Sequence, residues 1–332
     1  MQQTLSLDEI KSLLAGPLAR VHEAYRRRLH SQVALMQEVN DYLAARSGKE
    51  LRTLLVLLSA CAVSGSEAAI GDSTVLHAAA VEMLHNASLI HDDVIDQAQQ
   101  RRGVETISSV WSNHVAVLVG DYILSTSLLQ VSYTHSDEIV RYLALLGQTL
   151  SDGEILQLAN ISNSELSEDV YYKVIERKTA SLFESCAVLG CLSVGVEAEL
   201  VEHARGFGQM LGMMFQIRDD IFDYYDSREI GKPTGNDMAE GKLTLPVIFA
   251  LNSNPIQSMI TLAKKVKAGT INADEIAVLV DYAKQSGGIE YAEHRMQNFY
   301  DKSMFFINEY ITKNEIRNAL VTYLHYVMKR HY

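Results

Sequence analysis

Apolar positions return every three or four residues along nearly the whole chain, the period of a helix with one buried face. Between Ser6 and Arg46 this spacing predicts two helices, with Pro17 early in the second and longer one. Leu51–Val63 is apolar nearly all round, and Ser73–Asp96 is a long run of Ala, Leu, Ile and Met that ends in acids, so both predict core helices. Further runs cover 113–133, 136–159, 168–194, 199–225 and 243–251, with several more from Ile256 onward. Strand-like alternation bounded by hairpin turns is not evident. Breaker residues cluster at Ser64–Ser66, Arg102–Thr106 and Ser227–Glu240, and none of these stretches reads as an interdomain linker. The expectation is an all-α protein with one domain over residues 1–332.

Composition narrows the class. With 48% hydrophobic and 21% charged residues and four prolines among 332, the chain suits a packed helical protein rather than a disordered one. A formal charge of -12 argues against a generic nucleic-acid or anionic-membrane binder, which would favour a dense basic face. Cys61, Cys186 and Cys191 lack paired metal-ligand spacing and read as buried small hydrophobes in a reducing compartment. The start, MQQTLSLDEIKSLLAG, has no basic stretch followed by an apolar run, and no uninterrupted apolar stretch reaches transmembrane length. The expected location is the cytoplasm, without stable membrane insertion.

Two acidic helix ends carry the chemistry. In His91-Asp92-Asp93-Val94-Ile95-Asp96 the i, i+4 spacing puts Asp92 and Asp96 on one helix face with Asp93 beside them, and such hard oxygens suit Mg²⁺. One copy reads equally well as a solvated acidic helix end. A second copy, Asp219-Asp220-Ile221-Phe222-Asp223, again follows an apolar run, and like charges held together call for a cation. The partner of such cations would be a polyanion, most simply a diphosphate.

Basic residues accompany the acids. Arg101 and Arg102 follow the first motif closely, and the planar arginine fork matches diphosphate oxygens, although a surface pair of arginines is usually only solvated. Lys49 and Arg52 are three apart, and His85 stands two helical turns before Asp92, so these three could share a second anion site; His85 alone is more often a core histidine. Lys178 and Lys232 complete the set. No GxxxxGK[ST] pattern occurs, so nucleotide phosphates gain no support.

Taken in order, GKELR at 48–52, HNASLIHDDVIDQAQQRRG at 85–103, GD at 120–121, RKTA at 177–180, FQIRDDIFD at 215–223 and GKPTGNDMAEGKLTLP at 231–246 resemble the trans-isoprenyl diphosphate synthase, or polyprenyl synthetase, family. Four positions depart from its usual pattern: Ser47 stands where a first glycine is common, Glu50 replaces a basic or neutral residue, and Thr53 and Glu105 each replace a proline. The resemblance implies an isoprenoid synthase-type helical bundle around a deep central cavity, a homodimer, and two diphosphate sites at the cavity mouth. It implies metal ligands at Asp92, Asp93, Asp96, Asp219, Asp220 and Asp223, with about three Mg²⁺ ions per active site when substrate is bound. Arg101, Lys178, Lys232 and Lys242 would hold the allylic diphosphate. Lys49, Arg52, His85, Arg102 and Phe215 would hold isopentenyl diphosphate, and Thr179 and Gln216 would face the allylic cation.

Product length follows from the wall before Asp92. Ala87 and Ser88 are small where members with short products often carry a ring, so the path stays open by about one helical turn, roughly 5.4 Å. Leu84 and Met83, with Ile123 or Ser127 on the next helix, are candidates for the floor, and a product of about six to eight isoprene units, roughly C30–C40, is expected. The alternatives are a shorter C15–C20 synthase, a class I terpene cyclase, a noncatalytic synthase subunit and an isoprenoid carrier. Small Ala87 and Ser88 argue against the first, and the duplicated acidic motif and the second basic site favour chain elongation over the others.

Overall fold

The apolar runs fold as helices in the computed structural model, which describes residues 6–45, 48–101, 103–161, 166–225 and 234–329. Arg102 and Lys232 lie outside the described residues. The helices are α1 (Leu7–Leu13), α2 (Ala15–Leu29), α3 (Ala34–Ala44), α4 (Leu51–Ser64), α5 (Asp72–Ile95), α6 (Ile107–Val110), α7 (Asn113–Ser132), α8 (Asp137–Ile161) and α9 (Glu168–Ile175). They continue with α10 (Ser181–Leu192), α11 (Ala198–Phe222), α12 (Asn236–Ala239), α13 (Leu245–Ser253), α14 (Gln257–Lys267), α15 (Ala273–Gln285), α16 (Gly288–Tyr310) and α17 (Asn314–Lys329). They gather into two compact units, one from the described parts of 1–148, 182–208 and 310–320, the other from 149–181, 209–309 and the described part of 321–332.

Local chemistry explains where the helices differ from the sequence expectation. The Ser6–Arg46 stretch makes three helices rather than two. At its break, Ser31 Oγ accepts from the Val33 N–H, and the Gln37 amide oxygen accepts from the Ser31 N–H. Asn40 donates its amide to the Leu29 carbonyl, so side chains take over backbone groups that a continuous helix would use. The expected single run over 168–194 is two helices joined through a π-helical turn, Glu176–Ala180. Such one-residue insertions into a helix are frequent at functional sites. The breaker stretch at 102–106 contributes to a very short antiparallel ladder, in which Gln100 pairs with Glu105 and Arg101 with Val104. This is a strand pair that the sequence pattern did not signal, because two residues per strand are too few to alternate.

In the first unit α4 is buried all round, with Leu54, Leu55, Val56, Leu57 and Leu58 essentially inaccessible. Helices α5 and α7 pack along each other, and Met83, Ala87 and Ile90 meet Ala116, Val119 and Ile123 in one core cluster that also takes in Leu29, Val39 and Ile107. Contrary to the sequence reading, α7 is long and apolar enough to cross a membrane by length and composition alone. Its inner face, however, belongs to this core, while Val117, Leu118 and Leu129 stand exposed.

Helix α10 crosses α4 where Gly190 removes the side chain: a Cβ there would lie 2.4 Å from the Val56 carbonyl oxygen and 2.9 Å from the Ser59 Cβ. Both neighbours are fixed in a helix, so neither can give way. Gly190→Ala is therefore expected to destabilise the protein by about 1–3 kcal/mol, the usual cost of overpacking, read as an earlier urea midpoint with an unchanged slope.

Candidate active site

Both acidic motifs sit at the C-terminal ends of long helices, where the backbone dipole is already negative. In α5, Asp92 and Asp93 occupy the last turn and Asp96 caps it. The helix stops because Gln97 takes a left-handed conformation, φ +51°. The Ala98 N–H then reaches the Asp93 carbonyl at 2.9 Å and the Gln97 N–H reaches that of Val94 at 3.3 Å, a Schellman closure. Asp92 is half-buried, Asp93 buried and Asp96 exposed, so the three carboxylates fan from core to solvent. Burial lifts the Asp93 carboxyl above its ordinary range, against the pull of the Arg101 guanidinium at 2.7 Å. Behind this motif the His91 ring lies over Gly120 of α7, where a Cβ would come within 2.2 Å of its Nε2, and the same nitrogen is 3.4 Å from Asp121 Oδ1. The Gly120–Asp121 pair is thus a seat for the histidine that begins the motif.

The second motif closes α11. Asp220 is buried and held from two sides: the Tyr171 hydroxyl donates to Oδ2 at 2.6 Å and the Gln216 amide donates to Oδ1 at 2.8 Å. The Gln216 carbonyl in turn accepts from the Thr179 hydroxyl at 2.7 Å. One continuous network therefore joins the acidic motif to the two residues expected to face the cation. Burial, opposed by these hydrogen bonds, pushes Asp220 up to about 7, with Asp219 and Asp223 adding to the rise. Asp237 is also raised, first by burial and then by the charges of Asp220 and Asp223. Asp223 has a different occupation. Its two oxygens accept from the N–H groups of Asn236 and Asp237 at 2.9 and 3.1 Å, anchoring the start of α12.

Among the described residues, the cations expected around the allylic diphosphate are engaged with acids. Arg101 pairs with Asp93, Lys178 with the buried Glu154, and Lys242 with Glu240 at 2.6 Å. In the first unit Lys49 is exposed and Arg52 half-buried at the start of α4, with the Arg52 guanidinium 5.3 Å from the Phe183 ring centroid. Thr53 donates to Glu82 of α5 at 3.3 Å, one turn before the buried His85, which ties the basic segment to the histidine's helix. The proposed length determinants Met83, Leu84, Ala87, Ile123 and Ser127 are all buried, and Ser88, half-buried, bonds the His85 carbonyl at 2.9 Å. Phe215 and Asp219 are half-buried on α11.

Among the described residues, no three His, Cys, Asp or Glu side chains are grouped so as to hold a metal ion by themselves. Mg²⁺ does not need such a cage, since it keeps several waters and is bound by one or two carboxylates together with substrate phosphates. The donor set fits an ion of that kind: hard oxygens at negative helix ends, with neighbouring carboxyls lifted chiefly by burial and then by one another's charge.

The polyprenyl synthetase family model matches residues 33–282. The chain belongs to the polyprenyl synthetase family. As a member it is a trans-prenyltransferase with the all-α isoprenoid synthase fold. It is 30% identical to the octaprenyl diphosphate synthase of Escherichia coli over 98% of this chain and 99% of that one. It is similar to a solved geranylgeranyl pyrophosphate synthase from Bacteroides thetaiotaomicron, with 41% identity, a TM-score of 0.84 and coverage of 97% and 98%. A polyprenyl synthase from Caulobacter crescentus, solved with calcium and isoprenyl diphosphate, matches at 29% identity and TM-score 0.89 over the whole of both chains. Family membership and that calcium-bound relative point to divalent-metal dependence.

Sequence reasoning missed three residues of this family site. Tyr171, which holds Asp220, stands seven residues before Lys178, a spacing visible in the sequence although the π-helical turn at Glu176–Ala180 intervenes. Glu154, the partner of Lys178, and Asp237, the further acid beside the second motif, carry no such signal, because the pairing is made by the fold.

The raised Asp220 has a measurable consequence. Between the ordinary carboxylate value of about 4 and about 7 the folded protein keeps a proton that the unfolded chain has released. Its contribution to stability is therefore full at the acid end and is lost as pH rises through that window. Metal-free protein is expected to melt at progressively lower temperature from pH 5 to pH 8. Asp220→Asn should flatten this slope, and Mg²⁺ with pyrophosphate should raise the melting temperature most at pH 8.

Proposed function

We propose that this chain is a Mg²⁺-dependent all-trans polyprenyl diphosphate synthase that adds successive isopentenyl diphosphates to an allylic diphosphate, giving a product of about six to eight isoprene units. The network Tyr171–Asp220–Gln216–Thr179 is the observation that carries it, since it joins the buried Asp220 of the second acidic motif to the two residues proposed to face the cation. Asp92, Asp96 and Asp219 are the proposed direct metal ligands. Asp93 and Asp220 act from behind them, and Asp223 contributes through bound water while anchoring α12. Mg²⁺ supplies charge stabilisation for the departing diphosphate. Arg101, Lys178 and Lys242 exchange their present acids for the substrate and, together with Lys232, take up diphosphate oxygens as negative charge builds on them.

The C1–O bond of the allylic substrate breaks to leave a carbocation, which the Thr179 and Gln216 oxygens face while apolar walls exclude water. Lys49, Arg52, His85 and Arg102 hold isopentenyl diphosphate, with Phe215 against its hydrocarbon, so that its double bond meets the cation in the required orientation. The proton lost after bond formation passes to the released pyrophosphate, and no side-chain base is needed. In this reading residues 1–332 serve as one catalytic domain. The location proposed is the cytoplasm.

Two observations bear on length in opposite directions. Small Ala87 and Ser88, with the octaprenyl relative, support the longer product, whereas the 41% identical structure described as a geranylgeranyl synthase favours four units. Purified protein given farnesyl diphosphate, labelled isopentenyl diphosphate and Mg²⁺ is expected to give a ladder ending near six to eight units. Asp92→Ala should lower turnover by about a hundredfold or more, and Ala87→Phe should shift the ladder to shorter products. A wild-type ladder that stops at four units would replace the longer reading with the shorter one.

The exposed Leu118 and Leu129 on α7 support a homodimer, since a copy of the same apolar face would cover them. Leu118→Glu is expected to turn a dimer into a monomer by light scattering, and an unchanged mass would move the interface elsewhere.

A further inference from the structure

The segment that begins α4 contains one residue whose conformation and charge both require outside support. Glu50, between Lys49 and Arg52, precedes the helix with φ +59° and ψ +29°, a left-handed backbone for a residue with a full side chain. Such a conformation persists only where its surroundings hold it. The carboxylate is held by two other helices. Oε2 accepts from Lys11 Nζ of α1 at 2.9 Å, and Oε1 meets His22 Nε2 of α2. The side chain is only 16% exposed, and the His22 bond, ahead of that from Lys11, keeps the carboxyl far below its usual range, at about 2. The carboxylate is therefore committed to α1 and α2, while its backbone carbonyl starts α4 by accepting from the Leu54 N–H at 2.9 Å.

We propose that Lys11, His22 and Glu50 form a tether that sets the direction of Lys49 and Arg52, so that Glu50 is a positioning residue for the diphosphate of the acceptor substrate. This rests on the reading of Lys49 and Arg52 as that diphosphate's ligands. The segment is clamped on both sides. On one side Glu50 fastens it to α1 and α2, and on the other Thr53 fastens it to Glu82 of α5, one turn before His85. Without the first clamp the left-handed turn relaxes, and the two cations lose their common direction while keeping their charge.

Charge and position make opposite predictions here, which makes the idea testable. Glu50→Gln removes a negative charge beside an anion site. If charge alone mattered, KM for isopentenyl diphosphate would fall; if the tether positions the segment, it rises, by about five- to tenfold. The assay is steady-state turnover with each substrate varied in turn, together with thermal melting, for wild type, Glu50→Gln, Lys11→Met, the double variant and Glu50→Gly.

The tether predicts a higher isopentenyl KM in both single variants, with kcat and the allylic KM within about twofold of wild type. The double variant should be no worse than the worse single one, because both break the same pair. Glu50→Gly, which suits the left-handed backbone but lacks the carboxylate, should keep the raised KM. An isopentenyl KM that stays level or falls in Glu50→Gln overturns the proposal. So does wild-type behaviour in Glu50→Gly, or an equal loss in every parameter with a lowered melting temperature. Wild-type protein that consumed no isopentenyl diphosphate would instead refute the functional reading, and the tether's role with it.

Discussion

The site depends on carboxylates placed at the wrong end of their helices. The C-terminus of a helix carries partial negative charge, which makes Lys and Arg favourable there and Asp unfavourable. Here α5 ends in Asp92, Asp93 and Asp96, and α11 ends in Asp219 and Asp220, with Asp223 just beyond. The rest of the local structure answers that unfavourable placement. Arg101 folds back on Asp93, Tyr171 and Gln216 hold Asp220, and the backbone of α12 caps Asp223. Burial lifts the carboxyls of Asp93, Asp220 and Asp237, and a cation brought among them would favour their charged forms. A divalent ion bound together with a diphosphate would supply that positive charge beside these helix ends.

Rigid support is a second theme. The π-helical turn at Glu176–Ala180 lies where Lys178 pairs with Glu154 and Thr179 meets Gln216. A regular helix through these residues would rotate the following positions by most of a third of a turn relative to the preceding ones. The inserted residue falls where Lys178 meets Glu154 of α8 and Thr179 meets Gln216 of α11. Tyr171, fully buried and one helix earlier, fixes the other end of the same network through Asp220.

Much was legible beforehand because helices announce themselves through periodicity and because two like-spaced acidic motifs, each after an apolar run, are hard to account for as solvated helix ends. The all-α class, the long α5 and α11 and their acidic ends all follow from such local patterns. The break at Ser31–Val33 was not legible, because it is made by Gln37 and Asn40 side chains competing for backbone groups across the turn. Nor was the short ladder at 100–105, which is too brief to alternate.

The sequence alone determined which residues carry charge at which helical spacing: the two aspartate motifs, the basic residues around them, and the small Ala87 and Ser88 ahead of Asp92. Only the tertiary structure decided what each charge faces. It turned Glu50 from an apparent flaw in a basic motif into the partner of Lys11 and His22, gave Asp223 to the backbone of α12, and brought Tyr171 to Asp220, Glu154 to Lys178 and Asp237 beside the second acidic motif. The reason is range. Periodicity and spacing act within a few turns of one helix, whereas the partner of a buried charge is chosen by packing between segments far apart in the chain, which no local pattern records.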